Sequence, residues 1–286
     1  MSIGGATFGV GMRLGQSNNH INLAMILFHL ADCGGRAVAD DLLVELVNIQ
    51  TEVREYFGWE YQDDVNSAAA MSKFFTSENP FGVGNWSPKN RDLQLETLTV
   101  KLRDAQRVVI VGASVSDDDF LDFDFENSVI IAADGSVGGV VGMGNVACVV
   151  TDFDGNPHLD NVAQNNMLFV AHAHGDNQKR WKSSLQEWSN YPLPPRLILT
   201  HQVTELFPGM HNFGGFTDGD RAVCLAIALG VDIDKITLIG FSTIKIGKWS
   251  GQTDPVKKLE KLDWMLNVLR LVGLDNQVAT NVSSKP

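Results

Sequence analysis

The stretch Ala147-Cys148-Val149-Val150-Thr151-Asp152-Phe153-Asp154-Gly155 decides how this chain is read. Four small or apolar residues run directly into a turn that carries two carboxylates and ends on glycine. An apolar run of that length bounded by Asp and Gly reads as a buried strand of a parallel sheet. The pattern recurs on both sides. Ile130-Ile131-Ala132-Ala133 leads into Asp134-Gly135-Ser136, and Met167-Leu168-Phe169-Val170-Ala171 leads into His172-Ala173-His174-Gly175-Asp176-Asn177. Polar residues at the carboxyl ends of such strands fall in the crevice where open α/β sheets bind ligands. Carboxylates that converge there repel one another unless a cation or a proton joins them. The three turns point to a hard divalent metal and, behind it, a phosphorylated substrate.

Outward from this centre, strands are expected at 108–111, 129–132, 146–150, 168–171, 197–200 and 237–240. Helical spacing marks 93–103, 177–188, 218–229 and 255–272, with Thr217 as an N-cap and Gly230 as the stop of the third. Alternating buried strands and helices give an α/β fold whose sheet is largely parallel and flanked by helices. Residues 21–78 read as helical, and Asn79-Pro80-Phe81-Gly82-Val83-Gly84-Asn85 is a breaker cluster. The expected organisation is a small helical N-terminal region with a variable leader (1–90), an α/β catalytic domain (91–275) and a polar, frayed tail (276–286). Residues 1–20 suit either a flexible leader or an edge hairpin.

With 22 basic against 34 acidic residues, the formal charge is −12. No basic stripe is available for a nucleic-acid backbone, so no such partner is expected. Cys33, Cys148 and Cys224 are isolated, without the spacing of a zinc knuckle or redox pair. They fit a reducing compartment. The apolar run 21–30 is too short to span a bilayer, and a cytoplasmic protein without a membrane partner is expected.

The chemistry-bearing residues have both functional and bland readings. In an extended segment Asp152 and Asp154 point the same way, so both can face one cation while Phe153 packs behind. Asp134-Gly135 shares that strand-end position. His172 and His174 suit either a zinc or iron site completed by His201 or His211, or loop-shaping and phosphate contacts. Gly214-Gly215-Phe216-Thr217-Asp218-Gly219-Asp220-Arg221 opens the strongest helix, whose free N–H groups favour anions. Lys245 and Lys248 are clustered bases near a strand end. Gly112-Ala113-Ser114 can hold phosphate oxygens by backbone N–H groups, although neither a full dinucleotide fingerprint nor a Walker loop is present.

Together, these runs resemble the archaeal 6-hydroxymethyl-7,8-dihydropterin diphosphokinases. The likeness is carried by Ile131-Ala132-Ala133-Asp134-Gly135, Val150-Thr151-Asp152-Phe153-Asp154-Gly155, His172-Ala173-His174-Gly175-Asp176-Asn177, Asn212-Phe213-Gly214-Gly215-Phe216-Thr217-Asp218-Gly219-Asp220-Arg221-Ala222 and Ile246-Gly247-Lys248. It extends from about residue 42 to 272 and takes in Tyr56-Phe57-Gly58-Trp59. The core also looks like that of thiamin pyrophosphokinases, which are dimers, so a homodimer is a further expectation. Two departures stand out. The first glycine loop, usually Gly-Ala-Gly-Pro-Ser, reads Gly112-Ala113-Ser114-Val115-Ser116, and Ser242 stands where an acidic residue is usual.

The resemblance implies transfer of diphosphate from ATP to a reduced pterin, with release of AMP, in pterin cofactor biosynthesis. It implies that Asp134, Asp152 and Asp154 hold Mg²⁺ and that Asp176, Asp218 and Asp220 complete an acidic catalytic cleft. Gly112, Ser114, Gly135, His172, His174, Asn177, Gly214, Gly215, Arg221, Lys245 and Lys248 are the expected ligand-binding residues. Alternatives are a thiamin pyrophosphokinase, a metal-dependent hydrolase built on His172, His174 and Asp176, and a glycosyl-transferring relative.

Overall fold

A computed structural model describes residues 38–121, 123, 125–251 and 254–280. The leader at 1–20 and Cys33 lie outside the described residues. Six strands form one parallel sheet: β1 (Arg107–Val111), β2 (Ser128–Ala133), β3 (Val146–Thr151), β4 (Leu168–Ala173), β5 (Arg196–His201) and β6 (Ile236–Ile239), in the order β5-β4-β3-β2-β1-β6. All six expected strands form, within one or two residues of the expected bounds. The helices are α1 (Val38–Phe57), α2 (Tyr61–Phe74), α3 (Pro88–Asp104), α4 (Val137–Val140), α5 (His158–Ala163), α6 (Gln178–Trp188), α7 (Asp218–Ala228) and α8 (Pro255–Leu271).

Strand residues alternate between two cores, as the pleat requires. Val108 and Ile110 face one layer with Leu46 of α1, Leu98 of α3, Val223 of α7 and Leu269 of α8. Val109 and Val111 face the other, with Met71 of α2, Leu159 of α5 and Trp181 of α6. A shift of register between Ile130 and Ile131 leaves Ala147 as an extra residue in β3, so Ala147 and Cys148 join the same core. Cys148 and Cys224 are free and buried, and burial pushes the Cys148 thiol up to about 12. Both are packing residues. Among the described residues no helix is long and apolar enough to cross a membrane.

Caps fix where the helices begin. Ser87 accepts from the Asn90 N–H at 3.4 Å with Pro88 in the first turn, so α3 starts five residues before the apolar spacing suggested. Asp254 accepts from Val256 and Lys257 N–H at 2.9 and 3.2 Å and starts α8. Residues 276–280 are tied down rather than frayed. Gln277 Oε1 accepts from Leu238 N–H at 2.8 Å, and Ala279 exchanges backbone hydrogen bonds with Phe241 and Thr243, each at 3.0 Å.

β1 lies between β2 and β6. The chain therefore runs from β1 out to β5 and returns through α7 to the opposite side of β1. Loops at the carboxyl end of a parallel sheet diverge at such a reversal and leave a crevice. That crevice holds the site.

Candidate active site

Each wall of the cleft comes from a different strand end. Ala113 follows β1, Asp134 follows β2, Asp152 follows β3, His174 follows β4, Gln202 follows β5 and Phe241 follows β6, while Asp218 enters from the first turn of α7. Together with Phe57, Trp59 and Phe216 on one side and Lys257, Lys258 and Lys261 of α8 on another, they line a cavity of about 630 Å³.

Carboxylate oxygens of Asp134, Asp152 and Asp218 all lie within 4.8 Å of one another. Asp134 is buried and adopts a left-handed backbone conformation at φ 50°. Its Oδ1 accepts from Thr151 Oγ1 at 2.5 Å. Burial, then the charges of Asp154, Asp218 and Asp152, holds its carboxyl well above the usual range. Burial and the Asp152 charge push Asp218 up to about 7. Asp152 moves the other way. Burial opposes its charge, but hydrogen bonding to His174 and the positive charges of His174, Arg221 and Arg180 outweigh it and hold the carboxyl low. Its Oδ1 is buried without a hydrogen-bond partner; Arg180 Nη1, at 3.7 Å, is beyond hydrogen-bonding range. A buried Asp152 oxygen without a hydrogen bond, beside two carboxyls that burial and like charge push up, is an arrangement that a bound cation would relieve. Three oxygen donors of this kind fit a hard divalent ion.

Asp154 stands at the exposed lip beside Asp134, outside that three-carboxylate group. The two-residue alternation expected of Asp152 and Asp154 fails because Phe153 has φ 74° and turns the chain, its ring buried 5.5 Å from that of Trp188. Asp218 occupies the third corner instead.

The histidines at the end of β4 and just beyond it, His172 and His174, have different fates. His174 is half-buried and donates from Nε2 to Asp152 Oδ2 and from Nδ1 to Asp176 Oδ1, each at 3.0 Å. Burial works against its charge, but the two carboxylates raise it to about 9. Asp176 itself points outward, its side chain 84% exposed. His172 is buried, 2.9 Å from Thr200 Oγ1 through Nδ1 and 3.3 Å from Gln202 Oε1 through Nε2. Burial and the Arg221 charge hold it neutral, well below the usual histidine range. Both ring nitrogens are engaged, so neither is offered to a metal. His201 is buried and packs edge-on against Phe207 at 5.3 Å, while His211 stacks on Phe213 at 5.4 Å. The cluster with metal-ligand spacing among the described residues contains no histidine. The histidine-metal alternative loses its geometry here.

Several expected contact residues prove to be scaffolding. Asn177 is fully buried; its Oδ1 accepts from His174 N–H at 3.0 Å, and its amide donates to the His172 and Asp152 carbonyls at 2.7 and 3.2 Å. Asp220 is fully buried and accepts from the Phe216 and Thr217 N–H groups and from Thr217 Oγ1, a capping box at the start of α7. The N–H groups of Gly112 and Ser114 donate to the Ile239 and Gly240 carbonyls at 2.8 and 2.9 Å, which ties the first loop to the end of β6 while the loop still lines the cavity. Gly215 N–H donates to Leu46 O at 3.1 Å, and a Cβ on Gly214 would lie 2.7 Å from that carbonyl. A Cβ on Gly135 would lie 2.4 Å from the Trp249 carbonyl. These glycines let loops touch each other. Lys248 is exposed, 3.8 Å from Asp117, and neither it nor Lys245 lines the cavity.

Arg221 does face the cleft. Nη1 donates to Asp218 Oδ1 at 3.3 Å and Nη2 to Gln202 Oε1 at 2.8 Å, while Nε is buried without a partner. Gln202 in turn donates to Asp64 Oδ2 at 2.9 Å, and Asp64 Oδ1 accepts from Gly175 N–H at 2.7 Å. The buried Asp64 of α2, with Arg54 Nε 3.8 Å away, thus braces the loop that carries His174. Sequence reading missed Asp64 because the Asp63-Asp64 pair near a helix start is explained by the helix dipole alone.

No protein-family model matches the chain. Its relatives include proteins named 6-hydroxymethyl-7,8-dihydropterin pyrophosphokinase. That of Pyrococcus furiosus is 35% identical over 178 residues, which are 57% of this chain and 73% of that protein. This chain belongs to that pyrophosphokinase family. The protein of that name from Methanothermobacter thermautotrophicus is 36% identical over 137 residues, 41% of this chain and 53% of its own length. The one from Methanocaldococcus jannaschii is 26% identical over 248 residues, 77% of this chain and 92% of its own length. Within this family member, then, three carboxylates, a buried arginine, a lysine-bearing helix and an aromatic wall share one crevice. The lysines of α8 were not among the expected site residues, because an amphipathic closing helix accounts for lysines by solvation.

Proposed function

We infer that the protein transfers diphosphate from ATP to the hydroxymethyl group of 6-hydroxymethyl-7,8-dihydropterin, giving the pterin diphosphate and AMP. Membership of the pyrophosphokinase family supports the reaction class. The observation that carries the chemistry is the Asp134, Asp152 and Asp218 cluster with its unpartnered Asp152 oxygen. These three carboxylates would hold Mg²⁺. A bound Mg²⁺ supplies charge neutralisation on a triphosphate. The protein's own groups do the positioning. His174 fixes Asp152 in rotation and Arg221 fixes Asp218. The aromatic lining of Phe57, Trp59 and Phe216 suits a flat heterocycle. Phe57 and Trp59 are stacked with ring centres 4.6 Å apart, and Phe216 lies 6.0 Å from each.

In the reaction, the acceptor oxygen bonds to the β-phosphorus as the bond from that phosphorus to the α,β-bridging oxygen breaks. AMP carries away the bridging oxygen, and the hydroxyl proton passes to a cleft carboxylate. Positioning and charge neutralisation are the main demands of such a step. Release of AMP from ATP and Mg²⁺, measured with the reduced pterin and separately with thiamin, tests the reading. Pterin-dependent AMP is expected. Thiamin-dependent AMP without a pterin response would reassign the acceptor, and AMP with neither would defeat the diphosphotransfer reading.

A further inference from the structure

The cleft contains a lysine side chain that forms no direct ion pair with any described carboxylate. Lys261 lies two turns into α8, half-buried, and lines the cavity. Its Nζ sits 5.3 Å from the centre of the Trp59 ring and forms no salt bridge with any described carboxylate. Nearby aspartates are nevertheless close enough to act on it. Burial lowers its pKa, while the charges of Asp152 and Asp176 favour the ammonium. Its position is therefore the junction of two regions, with the aromatic wall on one side and the carboxylate cluster on the other. In the reaction inferred above, an acceptor on the aromatic wall would meet a phosphate held at the carboxylate cluster at that junction.

We propose that Lys261 is a catalytic residue, contacting the non-bridging oxygens of the diphosphoryl group as it passes from ATP to the acceptor. The proposal rests on the diphosphotransfer reading. Three observations support it. A half-buried ammonium that has carboxylates nearby but no direct ion pair keeps its donors open to an anion entering the cleft. A triphosphate brought beside Asp152 and its two neighbouring carboxyls meets charge of its own sign, which a cation fixed on the facing helix offsets. Lys258, one helical turn before Lys261 and also lining the cleft, supplies a second positive charge that acts on Asp218. α8 thus presents cations opposite the acidic pole. The Trp59 ring lies within cation–π distance of the Lys261 ammonium.

Replacing Lys261 by methionine keeps most of the stem and removes the charge. Lys261→Met is expected to lower turnover on the order of 100-fold, as for loss of one fixed charge or donor at a transition state. Pterin binding without ATP, followed by quenching of tryptophan fluorescence, is expected to stay within about 3-fold. Lys261→Arg, which restores the charge, is expected to recover turnover to within about 10-fold of wild type. A purely structural role through Trp59 would instead weaken pterin binding in step with turnover, and that outcome overturns the proposal. So does wild-type turnover in Lys261→Met. Wild-type protein that releases no AMP with the pterin overturns the parent reading and the role of Lys261 with it.

Discussion

The rim of the cleft and the layer directly beneath it are made from the same residue types, often two positions apart, yet they differ in one respect. Beneath the rim the side chains of Asp220, His172 and Asn177 all have protein partners. Asp220 accepts three or more hydrogen bonds, both nitrogens of His172 are engaged, and Asn177 uses both ends of its amide. On the rim, Asp152 and Arg221 each keep a buried atom unpaired, and Asp134 and Asp218 crowd Asp152. Asp218 and Asp220 share one helical turn, and His172 and His174 share one strand end, so spacing does not separate them. The number of unmet polar contacts does. Within the cleft, unmet contacts pick out Asp152 and Arg221 as groups able to take a ligand, although Arg91 Nε, which does not line the cavity, is also unpaired.

The difference can be broken first at the rim. Asp152→Asn is expected to reduce turnover by on the order of 1,000-fold or more, since it weakens a cation site and a fixed charge together, with an unchanged circular-dichroism spectrum. Near-normal AMP release from this variant would sink the assignment of the carboxylate cluster.

A pH experiment sharpens the same point. An unfolded aspartate has a pKa of about 3.9, whereas the folded-state Asp218 carboxyl is pushed up to about 7. Between those values the folded protein binds a proton that the unfolded chain has released. Stability of the metal-free protein should therefore fall as pH rises from about 4 to about 7 on account of this group. Added Mg²⁺ should raise Tm more at pH 8 than at pH 5, and Asp218→Asn should flatten the metal-free profile. A metal effect independent of pH would count against crowded carboxylates as the binding site.

In the layer beneath, the effect should fall on stability instead. Asp220→Ala strands the N–H groups of Phe216 and Thr217 and is expected to cost about 1–3 kcal/mol, read as a lower denaturant midpoint. Turnover per folded molecule should fall far less than for Asp152→Asn. Equal catalytic loss in both would erase the distinction between rim and layer.

The smallest effect is expected outside both. Lys248→Met, at an exposed side chain beside Asp117, should leave turnover within about 2-fold, the ordinary scatter of a surface substitution. A large loss would show that the loop after β6 closes onto the substrate.

Much of this architecture is legible in the amino-acid order. Buried strands announce themselves as apolar runs closed by Asp or Gly, and all six appear where expected, with Asp134 and Asp152 at two of their ends. Side-chain role within a turn is less legible. Phe153 turns the chain with positive φ, which moves Asp154 to the lip and leaves the third corner to Asp218, a residue 66 positions beyond Asp152. The glycine pair at 214 and 215 reads equally well as ligand approach or loop packing until α1 is seen against it. Asp64 and Lys261 belong to amphipathic helices whose polar residues need no function to explain them, so only their tertiary neighbours reveal them.

The most direct test of the central claim is phosphorus NMR of the products formed from ATP, Mg²⁺ and 6-hydroxymethyl-7,8-dihydropterin. Attack on the β-phosphorus gives AMP and a pterin carrying two phosphorus resonances, in equal amounts, and the account expects this result. ADP with a singly phosphorylated pterin, or ATP left intact, would contradict it.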